Sequence, residues 1–174
     1  VSDKNSPLRL LDLGTGSGCL LLSLLHELPF ATGIGVDASA EALKVATHNA
    51  THLQLSHRAE FRQAHWAQGL NETFDMVISN PPYIPLADLA SLMPEVRDYE
   101  PHSALFASED GLTDYREILA DMPRLLNKNG HAVLELGIHQ AEAVQAIGEA
   151  AGLTFISTRN DLGGIARAIT FTNN

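Results

Sequence analysis

The stretch Arg9-Leu10-Leu11-Asp12-Leu13 is an apolar run of strand length, closed at once by Gly14, Gly16 and Gly18. Leu21, Leu24, Leu25 and Leu28 then follow at helical spacing as far as Pro29. A strand that turns through glycines straight into a helix forms half of a βαβ unit, and that unit needs a parallel neighbour strand. The neighbour is at hand. Residues 32–37 read as a second strand, Ser39 can cap a second helix with Glu41 in its first turn, and Leu43, Ala46, Ala50 and Leu53 fall on one helical face.

The alternation continues. Residues 59–63 form a third predicted strand and Phe74 to Ser79 a fourth. A long irregular segment, Ile84 to Gly111, carries several prolines and charges, and loops of such length in compact domains are usually functional. From Thr113 the spacing predicts a helix with Tyr115, Ile118, Leu119, Met122, Leu125 and Leu126 buried. A kink or break is expected near Pro123, and an end at Asn129-Gly130. His131 to Leu136 is the fifth strand, Gln140 to Ala151 a helix stopped by Gly152, and residues 153–158 and 166–171 a last, antiparallel pair. The sum is one α/β domain: a seven-stranded, mostly parallel sheet with an antiparallel final strand and helices on both faces.

The 174 residues fit one domain able to bury a sizeable core, with no internal repeat. A formal net charge of -10 opposes unaided binding to a phosphate backbone, so direct nucleic-acid binding is not expected. The single Cys19 excludes an internal disulfide and reads as a packed thiol in a reducing compartment. No apolar run reaches transmembrane length and no signal-peptide pattern opens the chain, which predicts a cytoplasmic enzyme without a membrane partner. His48 and His52 share a helix face at metal-compatible spacing but lack a third ligand, so no metal is expected.

Two stretches carry the chemistry. In Asp12-Leu13-Gly14-Thr15-Gly16-Ser17-Gly18, alternate glycines let the backbone turn tightly and leave room for a ligand against the main chain. The third glycine of a dinucleotide fingerprint would fall at position 19, which is Cys19, so a pyrophosphate cradle is less well supported. Asp37, ending the second strand, can accept hydrogen bonds from both hydroxyls of a ribose, and Asp12 can orient an ammonium group. A ligand with an amino-acid end, a ribose end and no phosphate fits these groups, as S-adenosylmethionine does.

The second stretch is Asn80-Pro81-Pro82-Tyr83, where an apolar strand stops in a rigid loop. The Asn80 side-chain oxygen and the Pro81 carbonyl can each accept one N–H of a planar NH2-bearing substrate, while Tyr83 packs against its plane. The predicted target is an amino or amide nitrogen. The same residues are also compatible with an ordinary proline-terminated turn.

With these residues assembled, the chain resembles the class I S-adenosylmethionine-dependent methyltransferases, which have a Rossmann-like fold. It is most similar to the catalytic domain of the protein-(glutamine-N5) methyltransferases that modify peptide chain release factors. The resemblance rests on Asp12 to Gly18, Gly35-Val36-Asp37, Asn80 to Ile84, Val96-Arg97-Asp98-Tyr99-Glu100-Pro101, Gly111-Leu112 and Asp161-Leu162-Gly163-Gly164 with Arg167. It implies that Asp12, Gly14, Thr15, Gly16 and Gly18 hold the methionine part of the cofactor, Asp37 the ribose, and His65-Trp66 the adenine region. It further implies that Asn80, Pro81, Pro82 and Tyr83 bind substrate, with Asn80 also beside the cofactor and Asn80, Pro81 and Tyr83 supporting the chemistry. The implied partner is a release factor, methylated on the glutamine of its Gly-Gly-Gln motif.

Residues 1–174 are thus expected to be one catalytic domain without the small helical amino-terminal domain that the family uses in docking its substrate. The alternatives are an N-methyltransferase acting on an RNA or DNA base, and a catalytically silent cofactor-binding module. Arg97 and Glu100 are read as pocket residues or as a mutual pair, and Glu109-Asp110 as a solvated turn. Glu135 has no role by this reading, and oligomeric state and the preferred release factor stay open.

Overall fold

The computed structural model describes residues 5–84 and 110–174. Among these residues seven strands and four long helices follow in order: β1 Arg9–Leu13, α1 Cys19–Glu27, β2 Thr32–Asp37, α2 Ala40–His52, β3 Ala59–Gln63, β4 Phe74–Ser79, α3 Thr113–Leu125, β5 Leu126–Glu135, α4 Ala141–Ala150, β6 Thr154–Asn160 and β7 Ala166–Thr172. They form a single sheet in the order β3-β2-β1-β4-β5-β7-β6. β1 pairs in parallel with β2 and β4, and β5 in parallel with β4. β7 runs antiparallel to both β5 and β6. The predicted mostly parallel sheet with an antiparallel final strand is therefore the observed one.

Strand β1 begins a new direction. The chain steps outward from it to β2 and β3, then returns across it to β4 and β5. Such a reversal parts the connections beyond the strand ends and opens a crevice there. Two cores, one on each face, hold this arrangement. Leu10, Leu21, Leu22, Leu25 and Leu28 gather in one, and Leu11, Leu13, Phe74, Tyr115, Ile118 and Phe171 in the other. Helix α2 starts at Ser39, whose hydroxyl accepts the Ala42 N–H at 3.2 Å.

Several local expectations are corrected. Leu53 is half-exposed at the end of α2, and Leu22 takes the core place that periodicity assigned to Leu24. Cys19 is exposed rather than packed, because it opens α1 at the surface. Helix α3 ends at Leu125, within a turn of Pro123, and residues 126–130 join β5 instead of extending the helix. Proline's missing N–H weakens the last turn, and Leu126 pairs with Phe74 in the sheet. Asn129 takes a φ of 61° and its N–H donates to the Asn173 carbonyl, so the Asn-Gly pair forms an irregularity within a strand, not a helix end. The segment Val96 to Pro101 and Glu109 lie outside the described residues.

Candidate active site

The crevice beyond β1 and β4 is a cleft of about 340 Å³ lined by the glycine turn and by residues 80–84. That volume is within the ~300–1,000 Å³ of small-molecule sites. Ser79, at the end of β4, is buried and its hydroxyl donates to the Leu13 carbonyl at 2.8 Å. This bond locks the ends of the two strands that deliver the two motifs. Asn80 follows, exposed to the cleft, and Pro81, itself largely buried, lines it as well.

The glycine turn is built backbone first. The N–H groups of Gly14 and Thr15 both donate to the Val36 carbonyl at 2.9 Å, and Gly18 N–H donates to the Thr15 carbonyl at 2.8 Å. Gly14, Gly16 and Gly18 have φ of 72°, 54° and 80°, a region open to glycine at little cost. A Cβ on Gly14 would lie 3.1 Å from the Trp66 ring and 4.0 Å from the Asn80 carbonyl oxygen, which puts the two motifs against each other.

Asp12, the penultimate residue of β1, is buried, 1% exposed. Its Oδ2 accepts the Thr15 hydroxyl at 2.7 Å, while Oδ1 is buried without a partner. Burial raises its carboxyl from 3.8 to about 6, against the lowering effect of Thr15 and the Leu21 backbone; the Asp37 charge adds to the rise. Gly35 makes the Thr15–Asp12 bond possible, since a Cβ there would approach Thr15 Oγ1 to 2.8 Å and the Phe61 ring to 2.7 Å.

Asp37 uses both oxygens on the main chain: Oδ2 accepts the Gly16 N–H and Oδ1 the Ser39 N–H, each at 2.8 Å. Each oxygen keeps a lone pair. Trp66 packs against the core with its buried indole N–H towards Asp114, whose carboxyl burial pushes up while Trp66 draws it down. His65 is exposed, edge-on to Trp66 at 5.7 Å and 3.7 Å from Glu117. Neither His65 nor Trp66 lines the cleft itself.

Tyr83 is held at both ends. Its hydroxyl donates to Glu135 Oε1 at 3.2 Å, and its carbonyl accepts from Gln140 Nε2 at 3.1 Å. Burial, then the Glu135 charge, raise its phenol above the usual value. Tyr115 donates its hydroxyl to the Glu135 carbonyl at 2.8 Å, and Arg167 donates to the Leu136 carbonyl at 3.3 Å while pairing with Asp161. Sequence reasoning left Glu135 without a role and passed over Ser79, Tyr115 and Gln140, because each acts on a partner distant in the chain. Asp110 pairs with Arg116 at 2.6 Å and is an exposed turn residue, as expected.

A larger hollow, about 400 Å³, lies at the opposite, amino-terminal edge of β1 to β4. Its arginines are engaged: Arg58 with the carbonyls of Leu25, Leu28 and Ala31, and Arg62 with Glu60 and Glu72. The motifs sit elsewhere, at the carboxyl edge.

The orphaned Asp12 oxygen suits a cationic group, the glycine turn admits a ligand against the backbone, and the free lone pairs of Asp37 suit hydroxyls. These residues fit S-adenosylmethionine. At the domain level, residues 4–153 match the family model described as "Methyltransferase domain". The chain is 45% identical over 166 residues to the release factor glutamine methyltransferase of Caulobacter vibrioides, covering 95% of this chain and 57% of that protein. It is 45% identical over 161 residues to the protein of the same name from Rhodospirillum rubrum, covering 92% and 50%. The chain thus spans about half the length of these relatives. A methyltransferase from Pyrococcus furiosus, 15% identical, superposes with a TM-score of 0.74 over 99% of this chain and 78% of that one. The crevice at the reversal of strand order, the two motifs that face each other across it and the match over 4–153 agree: this chain belongs to the methyltransferase domain family.

Proposed function

We propose that this chain transfers a methyl group from S-adenosylmethionine to the side-chain amide nitrogen of the Gly-Gly-Gln glutamine of a peptide chain release factor. The observation that carries the reading is the facing pair in one cleft: Asn80 and Pro81 on one wall, the glycine turn on the other. The two relatives at 45% identity bear that substrate in their names.

When bound, S-adenosylmethionine supplies a methyl carbon already activated by its sulfonium. The residues' task is orientation. An amide nitrogen is a poor nucleophile, since its lone pair is delocalised into the carbonyl. Asn80 Oδ1 and the Pro81 carbonyl each accept one N–H of the glutamine side chain, fixing which face of the nitrogen looks across the cleft. Tyr83, braced by Glu135, packs against the amide plane. Orientation of this kind contributes roughly 7–11 kcal/mol in favourable cases. No strong base is needed beforehand, because the nitrogen's proton becomes acidic once it is alkylated. Asp12 holds the ammonium end of the cofactor and Asp37 the ribose, and the adenine end extends past Gly14 towards Trp66 and His65, which stand beside the cleft.

The test is transfer of labelled methyl to a purified, unmodified release factor and to a variant lacking the Gly-Gly-Gln glutamine. Label that disappears with the glutamine supports the reading, whereas label accepted instead by RNA or DNA defeats it. Asn80→Ala is expected to lower kcat about 100-fold, the typical cost of a misplaced reacting group, with cofactor Kd changed by less than about threefold. Equal losses in both would remove Asn80 from substrate orientation.

A further inference from the structure

Gln140 stands immediately before α4, half-buried, and its carboxamide touches three separate parts of the chain. Nε2 donates to the Tyr83 carbonyl at 3.1 Å and to the Gly111 carbonyl at 3.3 Å, while Oε1 accepts the Gly137 N–H at 3.1 Å. The orientation of the amide follows from its neighbours. Two carbonyls can only accept and a backbone N–H can only donate, so a flipped carboxamide would lose all three bonds.

The place of these bonds matters. Pro81 and Pro82 have no N–H, so at these two positions the loop that carries Asn80 cannot anchor itself by backbone donation. It is held from outside: upstream by Ser79 on the Leu13 carbonyl, downstream by Glu135 on the Tyr83 phenol and by Gln140 on the Tyr83 carbonyl. The same carboxamide fastens Gly111, which precedes α3, to this point. Gly137 is matched to the arrangement, since a Cβ there would collide with Gln140 Oε1 and stand 3.1 Å from Tyr83 Cδ2.

We infer that Gln140 is a positioning residue of the methyl-transfer site, whose two donated bonds hold the Asn80–Tyr83 loop in register with the cleft; this rests on the function proposed above. Q140E separates the donors from the rest. It keeps the side-chain shape and the acceptor for Gly137 N–H but cannot donate when ionised. With release factor as substrate, Q140E is expected to lower kcat at least tenfold, leaving cofactor Kd within about twofold. Its deficit relative to wild type shrinks as pH falls towards about 4.3, the ordinary glutamate value, where a protonated carboxyl regains one donor.

Wild-type kcat in Q140E overturns the inference, as does an active Q140E beside an inactive Q140A, which would leave only the Gly137 contact. If the wild-type protein labels no release factor, that result counts against the proposed substrate alone. The positioning role is then read by NMR, without substrate: a displaced Asn80 side-chain amide resonance in Q140E supports it and an unmoved one refutes it. Q140M, neutral and of similar length, is read in the same way if Q140E does not fold.

Discussion

Asp12 is a carboxylate placed where water cannot reach it, with one oxygen satisfied by Thr15 and the other by nothing. Its folded carboxyl holds a proton up to about pH 6, whereas an ordinary Asp releases it near 3.8. Between those values the folded state binds more protons than the unfolded one, so stability falls as pH rises through the window. Wild-type stability minus that of D12N should accordingly be about 1 kcal/mol greater at pH 5 than at pH 7. Urea denaturation of both proteins at the two pH values measures it, and a difference independent of pH would contradict the assignment. Asp12, Asp37 and Asn80 were legible in the sequence because strand ends and glycine turns are local signals. Thr15 as the Asp12 partner, Glu135 behind Tyr83 and Gln140 across the loop were not, since the last two bonds join residues 52 and 57 positions apart.

Strands and turns are linked here by absent side chains as much as by present ones. Gly35, in the middle of β2 opposite Asp12, leaves the space through which Thr15 reaches the carboxylate. Gly35→Ala forces a methyl to within 2.8 Å of Thr15 Oγ1 and 2.7 Å of Phe61, and overpacking of this kind costs about 1–3 kcal/mol. The variant should show that loss in a thermal or denaturant melt together with weaker cofactor binding by calorimetry. Normal binding in a destabilised protein would uncouple β2 from the site. Most element bounds followed from apolar periodicity, and β1 to β4 begin and end where the sequence placed them. The junction of α3 with β5 did not follow. A local reading sees Asn129-Gly130 as a helix stop, but the pairing of Leu126 with Phe74 and the bond from Asn129 to Asn173 draw those residues into the sheet.

Across the molecule, a formal charge of -10 surrounds the cleft between the glycine turn and the loop from Asn80 to Ile84. Such a surface repels phosphate backbones, whose non-specific affinity for proteins comes from Lys and Arg contacts. Fluorescence anisotropy with labelled duplex DNA or an RNA hairpin at about 150 mM salt should show no binding below about 10 µM, inside the usual non-specific range. Tight binding would favour a nucleic-acid base as the methyl acceptor. The alternation of apolar runs, the glycine turn and the proline-ended strand were enough to establish an α/β sheet and the two motifs at its carboxyl edge, because each is set by backbone chemistry within a few residues. Only the three-dimensional fold decided the strand order that brings those motifs face to face, left one Asp12 oxygen without a partner, and delivered Glu135 and Gln140 to Tyr83. Those outcomes depend on long-range pairing and on what packing excludes, and neither is written in any short stretch of the chain.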